Sequence, residues 1–308
     1  MEARGETAGE RKTVTALFAD MAGSTALIHD LEPEVAHRLI KPVVALMMEA
    51  VHYYEGYVAK SLGDGILALT MWFQGYPDEA RKRSCEALAL AQKLAYGPTL
   101  AFSLTYAAQL HQLRRESSLA GERAQAVITV STEHGLPYWL AWGTLLRGWS
   151  MTAQGNIEEG IAQMRPGLDA QRAAGGEDQR PYFLALLADS YWRTGDSEAA
   201  LRMLDEAMSI VEKSGEHCYE AELYRLRGNF SMAATNNEGP VRMCDHKAAD
   251  CFHEAIARAR EQGARSLELR AASDLARLLQ RQGNPAQARQ GLSQVYSCFT
   301  EGFDTADL

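Results

Sequence analysis

Two aspartates and a run of small residues near the N-terminus could together hold a metal-bound phosphate. Asp20 closes a short apolar segment and is followed by small residues through Thr25, whose backbone N–H groups can face a phosphate. Asp64 lies between Gly63 and Gly65, a pattern typical of a tight turn. Two carboxylates brought together bind Mg²⁺, which prefers oxygen ligands and shares them with nucleotide phosphates. The alternative is that Asp64 is only a turn residue, and spacing alone favours that alternative.

The elements that would position these aspartates are a strand, a helix and a hairpin. The β-branched and apolar run Lys12–Asp20 predicts a buried strand. Apolar residues spaced three or four apart predict a helix over residues 34–54, with Pro33 suited to its start. Tyr57–Leu62 and Ile66–Thr70 flank the Gly-Asp-Gly turn and predict a β-hairpin. The first part of the chain is therefore predicted to be a small α/β fragment.

Two motifs in this region resemble the opening of a class III purine nucleotide cyclase domain. They are ERKTVTALFADMAGST, residues 10–25, and YEGYVAKSLGDGILAL, residues 54–69. The resemblance implies that Asp20 and Asp64 bind Mg²⁺, with the Met21 carbonyl as a further ligand. It also implies that Lys60 reads the purine base of ATP. Three residues would then form the turn that faces the phosphates: Gly23, Ser24 and Thr25.

The remainder of a cyclase domain does not follow these motifs. The family has an acidic or Thr partner for the lysine, and Asn and Arg side chains that stabilise the transition state. Nothing after Thr70 supplies them in a matching context, and strand patterns give way to helical ones from Met71 onward. The sequence predicts a disordered tail over residues 1–9 and a partial cyclase-like fragment over residues 10–70.

Turn motifs recur at a regular interval in the second part of the chain. They begin 40 residues apart, at Gly75, Arg115, Gly155 and Gly195. Gly283 closes the series two periods plus eight residues later, and the polar stretch Thr235–Asp245 accounts for the extra length as a predicted loop. A repeat of this kind predicts an α-helical solenoid over residues 71–303.

Small residues keep one register in every copy of this repeat. One set precedes the turn: Ala108, Gly148, Ala188, Gly228 and Ala276. The other follows it: Ala80, Ala120, Gly160, Ala200, Ala248 and Ala288. Small side chains at two fixed points allow the helices of a pair to approach closely. The best-formed copy, Leu187–Ala207, resembles a tetratricopeptide repeat. The period is longer than the ~34 residues of standard repeats, so HEAT-type pairs and an irregular helical domain are the alternatives.

The two parts together resemble bacterial signalling proteins that join a cyclase-like domain, a central ATPase and C-terminal helical repeats. No phosphate-binding loop of an ATPase is present in the sequence. The resemblance implies such a protein without its middle, as a natural short form or as a deletion. Residues 304–308, after Phe303, are interpreted as the truncated start of a further helix. The predicted fold is mostly α, with a small α/β fragment before the solenoid.

Composition excludes several classes of protein. With 31 basic and 40 acidic residues the formal charge is −9, which lacks the basic excess of nucleic-acid binders and polybasic membrane anchors. The five cysteines are scattered, which is typical of free thiols in a reducing compartment. Neither a signal peptide nor an apolar stretch of ~20 residues is present. We therefore expect a cytoplasmic protein.

Three other groups of residues have both a structural and a functional interpretation. The tract Cys244–His253 contains zinc-type ligands but fits no standard module, so a structural role is favoured. Aromatic residues at helical spacing either fill the core, which is favoured, or line a peptide-binding surface: Tyr138, Trp139, Trp142, Trp149, Tyr182, Tyr191 and Trp192. Arginines on successive first helices are either solvated or form an inner cationic strip: Arg147, Arg193, Arg225 and Arg227.

The leading hypothesis is an intracellular signalling or scaffold protein whose repeats bind a protein or peptide partner. Its cyclase-like module is predicted to be inactive, because each missing transition-state donor is typically worth ~10² to 10³ in rate. The alternative is an active adenylate cyclase that makes cAMP from ATP with Mg²⁺, for which Asp20, Lys60 and Asp64 are the evidence. A homodimer is left open.

Overall fold

Helices form every regular element in the part of the chain that the structure describes. The computed structural model describes residues 63–176, 179–233 and 241–308, all within one unit, Leu62–Leu308. Over these residues the helices are α1 (Gly63–Phe73), α2 (Pro77–Leu94), α3 (Gly97–Leu113), α4 (Ser117–Glu133), α5 (Pro137–Ala153), α6 (Ile157–Ala173), α7 (Arg180–Thr194), α8 (Ser197–Ser214), α9 (Glu220–Ala233), α10 (Val241–Glu261), α11 (Arg265–Arg281) and α12 (Pro285–Tyr296). Among them, none is both long and apolar enough to cross a membrane.

The helices pack as consecutive pairs, each with an inner and an outer member. Every odd-numbered helix packs against the even-numbered helix that follows it, and the odd-numbered helices also contact one another in chain order. This inner row is continuous, and α11 returns to contact α1. Across that contact, the Ser266 hydroxyl donates a hydrogen bond to the Trp72 carbonyl. The prediction of a helical-repeat solenoid is confirmed, with the odd-numbered helices as its inner row.

The turns inside the pairs explain the 40-residue spacing of the motifs. Gly75, Gly155 and Gly195 have φ values of 94°, 101° and 86°, in the left-handed region that glycine adopts without steric cost and that commonly ends a helix. Arg115 occupies the same place in its own repeat, with a φ of 60°. A Cβ is crowded in this conformation, so Arg115 is a strained departure from the repeat pattern.

The small residues in register lie at contacts between helices, as predicted. A Cβ on Gly148 of α5 would lie 2.8 Å from the Gly160 carbonyl oxygen of α6 and 2.5 Å from the Met164 Cγ. The two backbones can approach this closely only because neither residue has a side chain. The alanines of both sets are buried: Ala80, Ala108, Ala120, Ala188, Ala200, Ala248, Ala276 and Ala288.

Replacing Gly148 by alanine is expected to lower the free energy of unfolding by about 1–3 kcal/mol, the range for overpacking. The Gly160 oxygen belongs to the backbone of α6 and cannot move aside as a flexible side chain would. Urea unfolding followed by circular dichroism measures the effect. Gly291→Ala in α12 is the matched control, because its new Cβ meets nothing within 4 Å and alanine favours a helix by ~1 kcal/mol over glycine. Equal destabilisation by both variants would contradict the close approach of α5 and α6.

Aromatic side chains pack between the inner helices. Trp142 is fully buried, and its ring meets the Phe183 ring edge to face at a centroid distance of 4.8 Å. Trp192 stacks on Phe230 at 4.3 Å. Tyr182 is buried and donates a hydrogen bond to a glutamine of α3. These contacts favour the packing interpretation of the aromatic residues.

The predicted hairpin around Gly63–Gly65 is wrong. Ile66–Thr70 does not form its second strand, because these residues belong to α1. The helix buries four side chains in contact with α2 and α3: Ala68, Leu69, Met71 and Trp72. Short apolar runs fit either a helix or a strand, and packing decides between them. The described residues thus contain no α/β fragment, and the strand and helix predicted over residues 12–20 and 34–54 lie outside them.

Two predictions about the second part of the chain are also corrected. Val241–Asp245, predicted to end a loop, begins helix α10, whereas residues 234–240 lie outside the described ranges. Residues 304–308 form turns instead of a helix, with the Thr305 N–H donating to the Gly302 carbonyl at 2.9 Å. Gly302 has a φ of 79°, which turns the chain back onto the repeats.

Candidate functional site

A polar cleft of about 190 Å³ lies where the inner helices α9 and α11 meet the turn after α3. Residues after α12 complete its wall. The lining consists of Arg115, Arg225, Asn229, Arg270, Ser273, Asp274, Arg277, Ala306 and Asp307. Four arginines against two aspartates give this lining a positive excess. We call it the arginine cleft.

Arg225 forms the floor of the arginine cleft and is held by two carboxylates. Its Nε and Nη2 atoms donate to the two oxygens of Glu222, at 2.8 and 2.6 Å. Its Nη1 donates to Asp274 Oδ2 at 2.5 Å, and the Asn229 amide donates to the same oxygen at 2.9 Å. Because three of its five N–H groups already donate to carboxylates, Arg225 is held in place and supports the cleft.

The charge of Glu222 is stabilised by the surrounding arginines. Burial alone would raise the pKa of Glu222, but Arg225, followed by Arg270 and Arg115, lowers it to about 2. A carboxyl whose pKa is lowered on folding stabilises the folded protein at any pH above its unfolded value, and this stabilisation disappears as the pH falls towards the folded value. Glu222 therefore contributes to stability at neutral pH and loses that contribution in acid.

We expect the difference in unfolding free energy between the wild-type chain and Glu222→Gln to depend on pH. The difference should be constant above about pH 4.5, the ordinary value for this carboxyl, and should shrink as the pH falls towards 2. The pH-dependent part amounts to about 3 kcal/mol. Urea unfolding of both proteins across this range measures it. A difference that does not change with pH would contradict the ion-paired state of Glu222.

Arg270 connects four parts of the structure at the inner end of the cleft. Its Nε and Nη2 atoms contact Asp307 Oδ2 at 2.9 and 2.7 Å. Nη2 also donates to the Leu113 carbonyl at the end of α3. The guanidinium lies over the Trp72 ring of α1, 4.9 Å from its centroid, a distance typical of a cation–π contact. The buried Arg270 thus links α11 to α1, to α3 and to the C-terminal segment.

Arg115 and Arg277 form the accessible rim of the cleft. The Arg115 side chain is 45% exposed, and its Nη2 lies 3.1 Å from Asp307 Oδ1. Burial, with a contribution from the nearby Arg270 charge, lowers the pKa of Arg115. Arg277 is 69% exposed and donates from Nη1 to Asp274 Oδ1. Guanidinium groups at such positions can receive a carboxylate from solvent.

The sequence predicted only part of this site. Of the proposed cationic strip, Arg225 lines the cleft; Arg227 instead pairs with Asp205, and Arg147 donates to Gln163. The other lining residues were not singled out, but two patterns mark them. Arg115 replaces the turn glycine of the other repeats, and three charged residues recur along one face of α11: Arg270, Asp274 and Arg277.

The predicted nucleotide site lies largely outside the described residues. Asp64 is in the first turn of α1, where the expected hairpin tip is absent. The other members lie outside the described ranges and stay predictions: Asp20, Met21, Gly23, Ser24, Thr25 and Lys60. Among the residues that are described, no group of three or more His, Cys, Asp or Glu side chains could hold a metal ion.

Comparison with known proteins agrees with the repeat fold. Residues 181–206 and 269–290 match the tetratricopeptide repeat family. The repeat region is tetratricopeptide-like. The first matched segment overlaps the copy that the sequence singled out, Leu187–Ala207, and the second covers parts of α11 and α12.

Solved structures share the arrangement of helices. The apo form of RapI aligns with a TM-score of 0.57 and 12% identity, over 89% of this chain and 94% of its own. BtubC from P. vanneervenii aligns with a TM-score of 0.50 and 14% identity, over 72% of this chain and 90% of its own. Aspartyl phosphate phosphatase F from Bacillus subtilis aligns with a TM-score of 0.50 and 13% identity, over 75% of this chain and 57% of its own. At these identities the likeness concerns the fold alone, and none of it supports a cyclase domain.

One curated relative is similar in sequence. Uncharacterized protein R02095 of Rhizobium meliloti (strain 1021) is 26% identical over 218 residues, which is 71% of this chain. The match spans 20% of that protein's length.

Proposed function

We propose that the repeat region is a protein-binding module of a signalling or scaffold protein, and that a segment of the partner binds at the arginine cleft. The observation that carries this proposal is the positive excess of the cleft on the inner helical row. Solenoids of this type present their inner surface to partners. Here two guanidinium groups at the rim of the cleft are accessible to a partner, those of Arg115 and Arg277.

The chemistry of the cleft favours a charged segment of a protein over an apolar small molecule. Small-molecule sites are mostly apolar with a few polar groups, whereas charged and amide side chains dominate this lining. Arginine forms two parallel hydrogen bonds with a carboxylate and is enriched at the energetic centres of protein interfaces. The Arg277 side chain is 69% exposed beside its contact with Asp274, so a partner carboxylate can reach it.

The test compares two exposed arginines that each pair with an acid on their own helix. Arg277→Ala removes a rim residue of the cleft, and Arg202→Ala is the matched control on the outer helix α8, where Arg202 pairs with Glu198 and is 58% exposed. Affinity capture from a lysate of the source organism, quantified by mass spectrometry, is expected to recover the same partner with the wild-type chain and with Arg202→Ala. Arg277→Ala is expected to recover it at a level reduced about tenfold or more. Equal recovery by all three proteins would overturn the proposal.

The nucleotide cyclase alternative rests on Asp20, Lys60 and Asp64 alone. We expect no cAMP above background from ATP with Mg²⁺ or Mn²⁺, because the transition-state donors of the family are missing from the sequence. Calorimetry is expected to show at most weak Mg²⁺-dependent ATP binding. Formation of cAMP that Asp20→Ala abolishes would make the chain an enzyme and contradict this expectation.

A further inference from the structure

The segment after α12 folds back onto the beginning of the repeat region. The Glu301 carboxylate accepts hydrogen bonds from the backbone N–H groups of Asp78 and Glu79, at 2.8 and 3.0 Å. N–H groups in the first turn of a helix have no partner within the helix, and a negative charge is favoured there. In return, the Gly302 N–H donates to Asp78 Oδ2 at 2.9 Å. The segment is therefore held in place before it reaches the arginine cleft.

Asp307 places a carboxylate inside the arginine cleft. One oxygen, Oδ2, contacts Arg270 at 2.7 Å, and the other, Oδ1, contacts Arg115 at 3.1 Å. The Asp307 side chain is only 11% exposed. One carboxylate thus bridges a buried guanidinium and an accessible one, which is the contact that an acidic side chain of a partner would make.

The backbone conformation of Arg115 indicates that its side chain has a role at this position. Four equivalent turns have glycine, whereas Arg115 adopts the left-handed conformation with a side chain, at a φ of 60°. Strained backbone persists where the surrounding structure or a function maintains it. A glycine would relieve the strain and remove only the side chain, whose ion-pair partner in the structure is Asp307.

We propose that the arginine cleft is a carboxylate site for an acidic peptide segment of a partner protein, and that Asp307 is its intramolecular ligand, which the partner displaces. This inference rests on the proposed function and adds the chemical class of the partner. Glu222 lies beneath the floor of the cleft and Asp274 belongs to its lining, and both carboxylates reduce the positive excess. They would repel a polyanion such as a nucleic acid more strongly than a single carboxylate.

The experiment uses the full chain and a fluorescein-labelled peptide with the sequence of Glu301–Leu308 as the probe. Fluorescence anisotropy measures its affinity for the wild-type chain, for Asp307→Ala and for the double variant Asp307→Ala with Arg115→Gly. Asp307→Ala vacates the carboxylate position, so we expect it to bind the peptide about tenfold more tightly, or better, than the wild type. The double variant is expected to lose this gain. A control peptide with asparagine at both aspartate positions should not bind.

Arg115→Gly alone separates a binding role from a structural one. Because glycine suits the left-handed turn, its thermal unfolding midpoint is expected to equal or exceed that of the wild type. The backbone amides of residues 305–308 should nevertheless exchange hydrogen faster, since Asp307 loses one of its two partners. A lower midpoint with unchanged exchange would assign Arg115 to stability and overturn the inference.

Other outcomes are also decisive. Equal peptide affinity of the wild type and Asp307→Ala would show that Asp307 does not occupy the site. Tighter binding of a duplex oligonucleotide than of the peptide would show that the ligand class is wrong. If Arg277→Ala lowers the capture of a partner as expected but the peptide does not bind, the proposed function is supported and the carboxylate site is ruled out. If the peptide binds as expected and no partner is captured, the carboxylate site stands and the proposed function falls.

Discussion

Replacing Arg270 by alanine is expected to lower the free energy of unfolding by about 3–5 kcal/mol, the range for breaking a buried ion pair from one side. The change leaves the Asp307 and Glu222 carboxylates without a cation that contacts them at 2.7 and 3.8 Å. It also removes the donor to the Leu113 carbonyl and the cation over the Trp72 ring. Because these contacts join α11 to α1 and α3, the loss affects the closure of the inner row.

Urea unfolding of Arg270→Ala and of Arg260→Ala tests this expectation. Arg260 is the matched control, since it pairs with Glu268 at 2.6 Å but is 60% exposed, and exposed pairs contribute about 0–1 kcal/mol. The double variant Arg270→Ala with Asp307→Ala should recover part of the loss, because it removes one of the unpaired charges. Similar effects of the two single variants would contradict the role of Arg270 in joining the ends of the inner row.

Replacing Gly302 by alanine is expected to release the C-terminal segment. A Cβ at this position would lie 2.1 Å from the Pro77 Cγ, and the φ of 79° is strained for any residue with a side chain. Strain and overlap together should weaken the docking of the segment by about 2–4 kcal/mol. We expect the amides of residues 302–308 to exchange hydrogen about 30-fold faster or more, as measured by mass spectrometry.

Gly283→Ala separates the two causes. Gly283 has a similar φ of 81°, but a Cβ there would meet nothing within 4 Å. This control carries the backbone strain without the overlap, and its effect should be about 1–2 kcal/mol and confined to the turn before α12. Unchanged exchange of residues 302–308 in Gly302→Ala would contradict the close contact with Pro77.

The repeat architecture could be predicted because its causes are local. Glycine in a left-handed turn and alanine or glycine at a helix contact depend on the nearest few residues. The spacing from Gly155 to Gly195 therefore predicted real turns, and Gly148 and Gly160 predicted a real close approach. The same local reasoning failed at Gly63–Thr70, where a turn motif and a short apolar run fitted a hairpin. Contacts of α1 with α2, α3 and α11 decide that this segment is helical.

The arginine cleft could not be predicted from sequence in the same way. Asp307 is 37 residues from Arg270 and 192 residues from Arg115 along the chain. Their contact depends on small rotations between successive repeats, and no short sequence motif specifies the accumulated rotation. One local signal was nevertheless available, since Arg115 stands where the equivalent turns have glycine. A charged residue at a position that favours glycine indicates that the side chain has a use.

In the proposed mode of binding, an acidic segment and Asp307 compete for one position in the arginine cleft. Hydrogen exchange of the wild-type chain, with and without a saturating amount of the unlabelled Glu301–Leu308 peptide, tests this claim directly. We predict that the bound peptide accelerates exchange at the amides of residues 305–308, because it displaces Asp307 from Arg115 and Arg270. Peptide binding with unchanged exchange at these amides, or no binding at saturating concentrations, would contradict it.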